Sequence, residues 1–403
     1  MLLQNQLSLI LDSQNLNFSN KNPGLERNKL EDLKITENFA LIITGIRRCG
    51  KSTLLYQLLS KESENALFLN FEDTRLASFE TDDFARLISE IETRGIKTLF
   101  FDEIQILENW ELFVRQLLDQ EYKVVITGSN ATLLSKELGT KLTGRHLSTE
   151  LFPFSYQEFL RFKMLENSAA ALSYYLKDGG FPEYLKTANG NILNHLLEDI
   201  LNRDIAVRYG IRDIITLKKL ATYLISNIGK PVSGNNLKEL FSIKSTTTIL
   251  EFFSYLENAY VIQFVPKFSY SIKTQIRNHK KVYAIDLGLF THNSIIFSNE
   301  NGRRLENTIY LYLRQINKEI YYYQDKKECD FVVFKKGKIK ELIQVCYELT
   351  AENIDREIDG LLEAMSFFNI MEAKIITFNQ TEIFNKGERK IIVLPAWKYM
   401  VQN

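Results

Sequence analysis

The 403-residue chain is poor in cysteine and proline and carries no excess charge of either sign. Its three cysteines, Cys49, Cys329 and Cys346, lie too far apart for a metal-binding pair or a disulfide framework, so we expect a reducing, cytoplasmic location. Lysine plus arginine and aspartate plus glutamate each total 50, so no global field attracts nucleic acid or membrane. No uninterrupted apolar run approaches the roughly 18 residues of a membrane span, and membrane insertion is not predicted.

What the sequence does contain is a succession of apolar patterns that divides it into five segments. Residues 1–38 predict a helix and a polar lead-in. Residues 39–150 alternate continuous apolar strands with amphipathic helices, which indicates an α/β domain with a parallel sheet covered on both faces. Residues 151–209 are predicted to be mostly helical. Residues 210–292 give short helices followed by two strands, the pattern of a winged helix, and residues 293–403 form a second, smaller α/β unit.

The segment GIRRCGKST lies between a predicted strand and a predicted helix and fits the phosphate-loop pattern G-x-x-x-x-G-K-[ST]. Its members are Gly45, Ile46, Arg47, Arg48, Cys49, Gly50, Lys51, Ser52 and Thr53. Glycines at the bends allow backbone N–H groups to surround an anion at a helix N-terminus. We expect Lys51 to reach the β- and γ-phosphates and Ser52 to ligate Mg²⁺. Arg47 and Arg48 can face a partner subunit, helix ends or nucleic acid, and the sequence does not rank these roles.

A second strand, KTLFFDEIQ, ends in two carboxylates about fifty residues later. Asp102 is expected to hold the Mg²⁺, directly or through water, and Glu103 to orient and polarise an attacking water. The alternative for Glu103 is a carboxylate at a helix N-terminus, favoured by the helix dipole. A further strand, KVVITGSN, offers Thr127, Ser129 and Asn130 as sensors of the γ-phosphate, and spacing alone does not choose among them.

Arg145 follows a predicted helix and leads into another strand in the segment LGTKLTGRHLSTE. An arginine at this place can reach a γ-phosphate held by a neighbouring subunit and stabilise transition-state charge in trans. This interpretation implies a homo-oligomer. The alternative is a surface arginine paired with a carboxylate.

Six motifs in a fixed order carry a family resemblance, namely GIRRCGKST, LFFDEIQ, ITGSN, LGTKLTGR, LFPFSYQEF and GGFPEYL. Together they closely resemble a prokaryotic group of AAA+-related P-loop ATPases whose C-terminal half is the domain of unknown function DUF4143. The resemblance continues through LNRDI, KVYAIDLGLF, LEN and ECDFVV and covers most of the chain from about residue 28. It implies ATP and Mg²⁺ as ligands, an ATPase core with an additional strand, a winged-helix segment and a terminal fold like the PD-(D/E)xK nucleases.

The predicted wing of the winged helix contains a local basic patch. Its cations are Lys267, Lys273, Arg277, Lys280 and Lys281, and no acidic residue lies between the first and the last of them. Such cations give salt-sensitive and sequence-tolerant affinity for double-stranded DNA through its phosphates. A solvated hairpin or a contact with a protein partner is the equally weighted alternative.

The resemblance to PD-(D/E)xK nucleases assigns a metal-binding set to the last segment. The matching positions are Glu306, Asp330 and Gln344, and Cys346 stands where the nuclease lysine is required. Because a protonated thiol cannot supply an ammonium group, this domain is predicted to be degenerate and to serve as a binding surface.

The predicted function is a Mg²⁺-dependent ATPase whose nucleotide state switches a DNA- or protein-binding module built from the winged-helix and nuclease-like segments. Two alternatives stay open. One is a DNA- or partner-binding regulator with ATP as a structural ligand, and the other is an ATP-dependent nuclease.

Overall fold

The computed structural model describes residues 2–20, 22–62, 65–129, 142, 144–295 and 300–401. The chain forms two compact units, Met1–Phe152 and Pro153–Asn403. The predicted lead-in belongs to the first unit together with the α/β domain. The three segments predicted after residue 150 lie in the second unit, except for residues 151 and 152. The boundaries between these segments stay predictions.

The first unit contains a parallel five-stranded sheet with the order β2-β3-β4-β1-β5. Its strands are β1 Ala40–Thr44, β2 Ala66–Asn70, β3 Thr98–Asp102, β4 Lys123–Gly128 and β5 His146–Glu150. The described helices are α1 Gln4–Ser19, α2 Lys51–Leu59, α3 Asp83–Thr93 and α4 Trp110–Asp119, with 3₁₀ turns at Asn28–Asp32, Thr74–Leu76 and Ile104–Ile106. Because β4 lies between β1 and β3, the sheet has the additional strand that the family resemblance implies.

The central strands are buried on both faces, as their continuous apolar sequences predict. Every residue of β1 and β3 is buried. Helices α3 and α4 cover the sheet with apolar faces that include Leu87, Ile91, Phe113 and Leu117, all in one hydrophobic cluster. Burying each side chain of this size stabilises the fold by about 1.5–3 kcal/mol.

Helix α1 covers the open edge of the sheet at β2. The Gln14 side-chain oxygen accepts from the Asn70 backbone N–H at 2.7 Å, and the Asn15 side chain makes two hydrogen bonds to the Phe68 backbone. Leu7 and Leu11 of the same helix are fully buried in the core. An exposed strand edge invites pairing with another chain, so α1 both completes the core and protects the edge.

The second unit contains two sheets and a surrounding set of helices. The three-stranded antiparallel sheet has the order β6-β8-β7, with β6 Pro231–Val232, β7 Ile262–Pro266 and β8 Lys280–Ala284. The six-stranded mixed sheet has the order β13-β14-β12-β11-β10-β9, with β9 Glu319–Gln324, β10 Glu328–Lys335, β11 Lys338–Val345, β12 Glu372–Thr377, β13 Glu382–Lys386 and β14 Arg389–Pro395.

The described helices of this unit run from α5 to α16. They are α5 Tyr156–Lys163, α6 Ala169–Asp178, α7 Pro182–Thr187, α8 Asn191–Asp199, α9 Ile214–Ser226, α10 Gly234–Leu240, α11 Thr246–Asn258, α12 Ile272–Arg277, α13 Leu287–Asn293, α14 Asn301–Ile316, α15 Ile354–Phe368 and α16 Ala396–Tyr399. A π-helical segment, Ile200–Val207, continues α8. In the part of the chain that the structure describes, no helix combines the length and the apolar character needed to cross a bilayer.

Two of the family motifs in this unit bind each other. Asp286 caps α13, where its carboxylate accepts from the N–H groups of Gly288 at 2.7 Å and Leu289 at 3.1 Å. The same carboxylate accepts from the Gly180 N–H at 2.6 Å, and a Cβ at Gly179 would overlap it. The motifs GGFPEYL and KVYAIDLGLF are therefore structural partners, which accounts for their lack of any evident chemistry.

Candidate functional site

The loop from Gly45 to Gly50 has the backbone conformation that its glycines allow. Gly45 has φ 152° and Gly50 has φ 102°, both in the region that favours glycine. A Cβ at Gly45 would also overlap the carbonyl oxygen of Leu151. Gly50 is the N-cap of α2, and because it has no side chain to accept from the first-turn N–H groups, this helix N-terminus suits an anion.

Lys51 lies at the start of α2, with its ammonium group turned toward the loop. Its Nζ donates to the backbone oxygens of Gly45 at 3.1 Å and Ile46 at 3.2 Å, and the residue is only 5% exposed. The Glu103 carboxylate lies 4.0 Å away. A buried ammonium group that donates to two neutral carbonyl oxygens and has one carboxylate 4.0 Å away can still pair with phosphate oxygens.

Asp102 ends β3 and meets the start of α2, as predicted. Its carboxylate accepts hydrogen bonds from the hydroxyl groups of Thr127 and Ser52. Burial, and next the charge of Glu103, raise the pKa of Asp102 above its ordinary value. The structure therefore brings together the two residues that the sequence assigns to Mg²⁺, and it adds Thr127 as their neighbour.

Glu103 follows directly, in a left-handed conformation with φ 55°. This conformation is uncommon for a residue other than glycine and is concentrated at functional sites. The Glu103 N–H donates to the Thr127 hydroxyl at 3.4 Å, and the Gln105 side chain donates to the Glu103 carboxylate. The carboxylate is thus fixed in direction beside Lys51 and Asp102.

This arrangement fits a magnesium-bound nucleotide. Mg²⁺ is commonly held by one or two protein groups plus phosphates and waters, and Ser52 and Asp102 supply such a pair. Across the described ranges, no group of three or more His, Cys, Asp and Glu side chains is arranged to hold a metal ion by itself. The phosphates would have to complete the coordination.

The back of the loop is joined to the end of the first unit by residues that the sequence pattern does not reveal. Arg27, only 3% exposed, donates to the carbonyl oxygens of Cys49 at 2.8 Å and Phe152 at 2.7 Å. The Cys49 thiol contacts the Leu151 carbonyl oxygen at 3.3 Å, and burial raises the pKa of Cys49. No periodicity or motif distinguishes Arg27 from the other cations of the polar lead-in, Lys21, Lys29 and Lys34.

The other predicted residues of the first unit have mixed outcomes. Arg47 lies 3.6 Å from Glu72, and Ser129 is buried at the end of β4. Asn130 lies outside the described residues. Arg145 pairs with Asp119 at 2.6 Å, which matches the alternative of a surface ion pair that the sequence left open. Action of Arg145 in trans stays a prediction.

In the second unit, the three nuclease-like positions lie close together. Lys281 Nζ lies 3.1 Å from Glu306 and 2.8 Å from Asp330, while the Gln344 side-chain oxygen accepts from the Asp330 N–H at 3.2 Å. Burial is the largest cause that raises the pKa of Cys346 to about 11, so this thiol stays neutral. The ammonium group at this centre belongs to Lys281, which the sequence had assigned to the DNA-binding wing.

That assignment of Lys281 is wrong for the described conformation, because its side chain is 2% exposed and fully engaged with carboxylates. Lys273 and Arg277 are exposed, whereas Lys267 and Lys280 are half-buried. Lys273 and Arg277 belong to α12, and Lys267 and Lys280 lie before and after it; α12 is a short helix between β7 and β8, where the sequence predicts a hairpin. DNA binding by these four residues stays a prediction.

Comparison with known proteins places the chain among relatives over nearly its whole length. Residues 37–160 match the model of an AAA domain. Uncharacterized protein MJ1544 of Methanocaldococcus jannaschii is 36% identical, covering 97% of this chain and 94% of that protein. An uncharacterized protein of Haemophilus influenzae is 32% identical, covering 86% of this chain and 91% of that protein. The chain belongs to the family of these two proteins.

The AAA domain thus spans the phosphate loop, both carboxylates and the start of α5. Residues 169–300 match a domain of unknown function, DUF8612, so the DUF4143 that the resemblance implied is replaced by another description. Among solved structures, AMPPCP-bound DnaA from Aquifex aeolicus is 15% identical and covers 57% of this chain and 84% of its own, with a TM-score of 0.26. C. elegans PCH-2 is 14% identical, and the match covers 64% of this chain and 67% of the PCH-2 chain, with a TM-score of 0.23.

Proposed function

We propose that this protein is a Mg²⁺-dependent ATPase whose nucleotide state switches a DNA- or protein-binding module in its second unit. The observation that carries the proposal is the convergence of Lys51, Ser52, Asp102 and Glu103 at one end of the sheet in the AAA domain. A loop that only bound an anion would not need a fixed carboxylate beside the ammonium group. The residues therefore favour hydrolysis over passive binding.

Each residue has a distinct role in this proposal. The loop N–H groups and Lys51 bind and orient the phosphates, and Ser52 and Asp102 would hold Mg²⁺, which supplies positive charge to the phosphate oxygens. Glu103 accepts a hydrogen bond from the attacking water and orients it in line with the γ-phosphate. Gln105 and Thr127 keep Glu103 in place.

The contacts that join the phosphate loop to Leu151 and Phe152 support a coupling between nucleotide binding and the second unit. Gly45 has no room for a Cβ because of Leu151, and Arg27 connects the Cys49 and Phe152 carbonyls. Phe152 is the last residue of the first unit. A shift of the loop on nucleotide binding would therefore act on the chain that leads into the second unit.

The order of elements in the second unit supports a winged-helix segment. Helix α9, strand β6, helices α10 and α11, and strands β7 and β8 follow one another, and the strands form one antiparallel sheet. The later order α14, β9, β10, β11, α15, β12 supports the nuclease-like fold of the original resemblance. Exposed Lys273 and Arg277 beside β8 are the cations most available to duplex DNA phosphates.

The test is ATP turnover measured across protein concentration, with and without duplex DNA. If Arg145 acts in trans, activity per chain should rise with concentration, and Arg145→Ala should lower it by about 10³-fold or more in the assembled state. DNA that binds the module should change this activity, and the change should weaken as salt is raised.

The matched control is Arg115→Ala, which removes an exposed arginine of the same unit. Its activity should equal that of the unchanged protein. Activity per chain that is independent of concentration and equal in Arg145→Ala would reduce Arg145 to its ion pair with Asp119. An absence of any turnover would favour a regulator for which ATP is a structural ligand.

A further inference from the structure

A cluster of charged side chains in the second unit surrounds Lys281. Its Nζ lies 2.7 Å from Glu328 Oε1, 2.8 Å from Asp330 Oδ1 and 3.1 Å from Glu306 Oε1. The Lys281 side chain is 2% exposed, those of Asp330 and Glu306 are 7% and 13% exposed, and that of Glu328 is 34% exposed. One ammonium group is therefore coordinated by three carboxylates from β10 and α14.

Two of these carboxylates, those of Glu306 and Asp330, also accept hydrogen bonds from groups other than Lys281. Tyr283, on the same face of β8 as Lys281, donates to Glu306 Oε1 at 2.7 Å. The second carboxylate oxygen of Asp330 accepts from the Val345 N–H at 2.9 Å. The backbone N–H of Asp330 donates to the side-chain oxygen of Gln344. The acceptor positions of Glu306 and Asp330 are thus fixed by the fold rather than by Lys281 alone.

Next to this centre, the backbone of strand β8 also forms hydrogen bonds with a side chain of α14. The Asn307 side chain donates to the Ala284 carbonyl at 2.9 Å and accepts from the Ala284 N–H at 2.8 Å. Glu306 and Asn307 are neighbours on α14, so one helix turn contacts both the Lys281 ammonium and the backbone of the same strand. The centre therefore joins the three-stranded sheet to the six-stranded sheet and α14.

The negative charges of the three carboxylates require a cation between them. Three carboxylates around one point repel each other unless a cation lies between them, and burial increases that cost. Burial lowers the pKa of Lys281, but the charges of Asp330 and Glu306, and then of Tyr283 and Glu328, outweigh it and raise this pKa well above its ordinary value. In the described part of the chain, no group of three or more His, Cys, Asp and Glu side chains is arranged to hold a metal ion, and this includes the three carboxylates around Lys281.

We propose that Lys281 is a built-in cation that takes the place of a divalent metal ion between Glu306, Glu328 and Asp330. The centre is then a metal-independent lock between β8 and the last sheet, not a nuclease site. Carboxylate oxygens converging on one point are the ligands that Mg²⁺, Mn²⁺ and Ca²⁺ prefer, so the same oxygens should accept such an ion once the ammonium group is removed.

The test measures Mn²⁺ binding to the full chain in the absence of nucleotide. Binding is monitored through the electron paramagnetic resonance signal of free Mn²⁺, which decreases as the ion is bound. Lys281→Met keeps most of the apolar stem and removes the charge, and it should bind one more Mn²⁺ per chain than the unchanged protein. Adding Asp330→Asn to this variant should abolish the extra site. Lys280→Met, which alters the adjacent half-buried lysine outside the cluster, should leave Mn²⁺ binding unchanged.

A second measurement covers the case in which Lys281→Met does not fold without a metal. Its refolding in Mn²⁺ and in EDTA is compared by thermal unfolding, and recovery of the native transition only in Mn²⁺ supports the proposal. Failure to recover in Mn²⁺, or a folded variant without an extra site, overturns it. Mn²⁺ binding or plasmid cleavage by the unchanged protein that Asp330→Asn removes would overturn it as well. None of these outcomes depends on ATP hydrolysis in the first unit.

Discussion

Replacing Glu103 by Gln is expected to lower ATP turnover by about 10²–10⁴-fold and to leave ATP binding nearly unchanged. The amide keeps the size of the side chain and its contact with Gln105, but it is a much weaker acceptor for the proton of an attacking water. Lys51, Ser52 and Asp102, which bind phosphates and Mg²⁺ in the proposed function, are not altered. Phosphate release and nucleotide affinity are measured on the same preparations.

Glu108→Gln is the matched control for this variant. Glu108 is an exposed glutamate five residues further along the chain, so its replacement tests only the loss of a surface charge. Turnover by Glu108→Gln should equal that of the unchanged protein. Unchanged turnover in Glu103→Gln would assign Glu103 to its other interpretation, a carboxylate at a helix N-terminus. Equal losses of binding and turnover would make it a binding group.

Gly45→Ala is expected to destabilise the first unit by about 2–5 kcal/mol and to weaken nucleotide binding. The estimate combines backbone strain at φ 152° with the overlap between the new Cβ and the Leu151 carbonyl. The loop cannot move away freely, because Thr44 and Cys49 also contact Leu151 on either side of Gly45. Both the shape of the loop and the segment beneath it should change.

The measurement is denaturant unfolding followed by the fluorescence of Trp110, which is buried in the first unit. Trp397 is the only other tryptophan of the chain and lies in the second unit, so a Trp397→Phe background isolates the signal. Gly302→Ala is the control, because a Cβ there meets no atom within 4 Å and alanine favours the helix. A decrease of less than about 1 kcal/mol in the free energy of unfolding for Gly45→Ala would show that the loop accommodates the added Cβ.

The sheet of the first unit and the conformation of its glycine loop were predictable because their signals are local. Continuous apolar runs indicate buried parallel strands, and the glycines, Lys51 and Ser52 occupy fixed places within nine residues. Asp102 follows the same logic, since parallel strands end at one edge of the sheet. In the structure the Asp102 carboxylate accepts a hydrogen bond from Ser52, while the binding of Mg²⁺ by this pair stays a prediction.

The parts that were missed depend on contacts between distant segments. Gln14 and Asn15 cover the edge of β2 from fifty or more residues away, and no pattern in a polar helix indicates this role. Lys281 was assigned to a DNA-binding surface because it follows another lysine in a basic run. Strand alternation turns Lys281 inward and Lys280 outward, but only the packing of α14 and β10 reveals the carboxylates that receive it.

Binding of magnesium-ATP at the loop is tested by titrating the unchanged protein and Lys51→Ala with this ligand. We expect saturable binding that EDTA weakens, and an affinity about tenfold to a hundredfold lower in Lys51→Ala, because charged hydrogen bonds to phosphate disappear. Lys61→Ala, which breaks an exposed ion pair just beyond α2, should bind like the unchanged protein. No detectable binding, or equally tight binding by Lys51→Ala, would contradict the account.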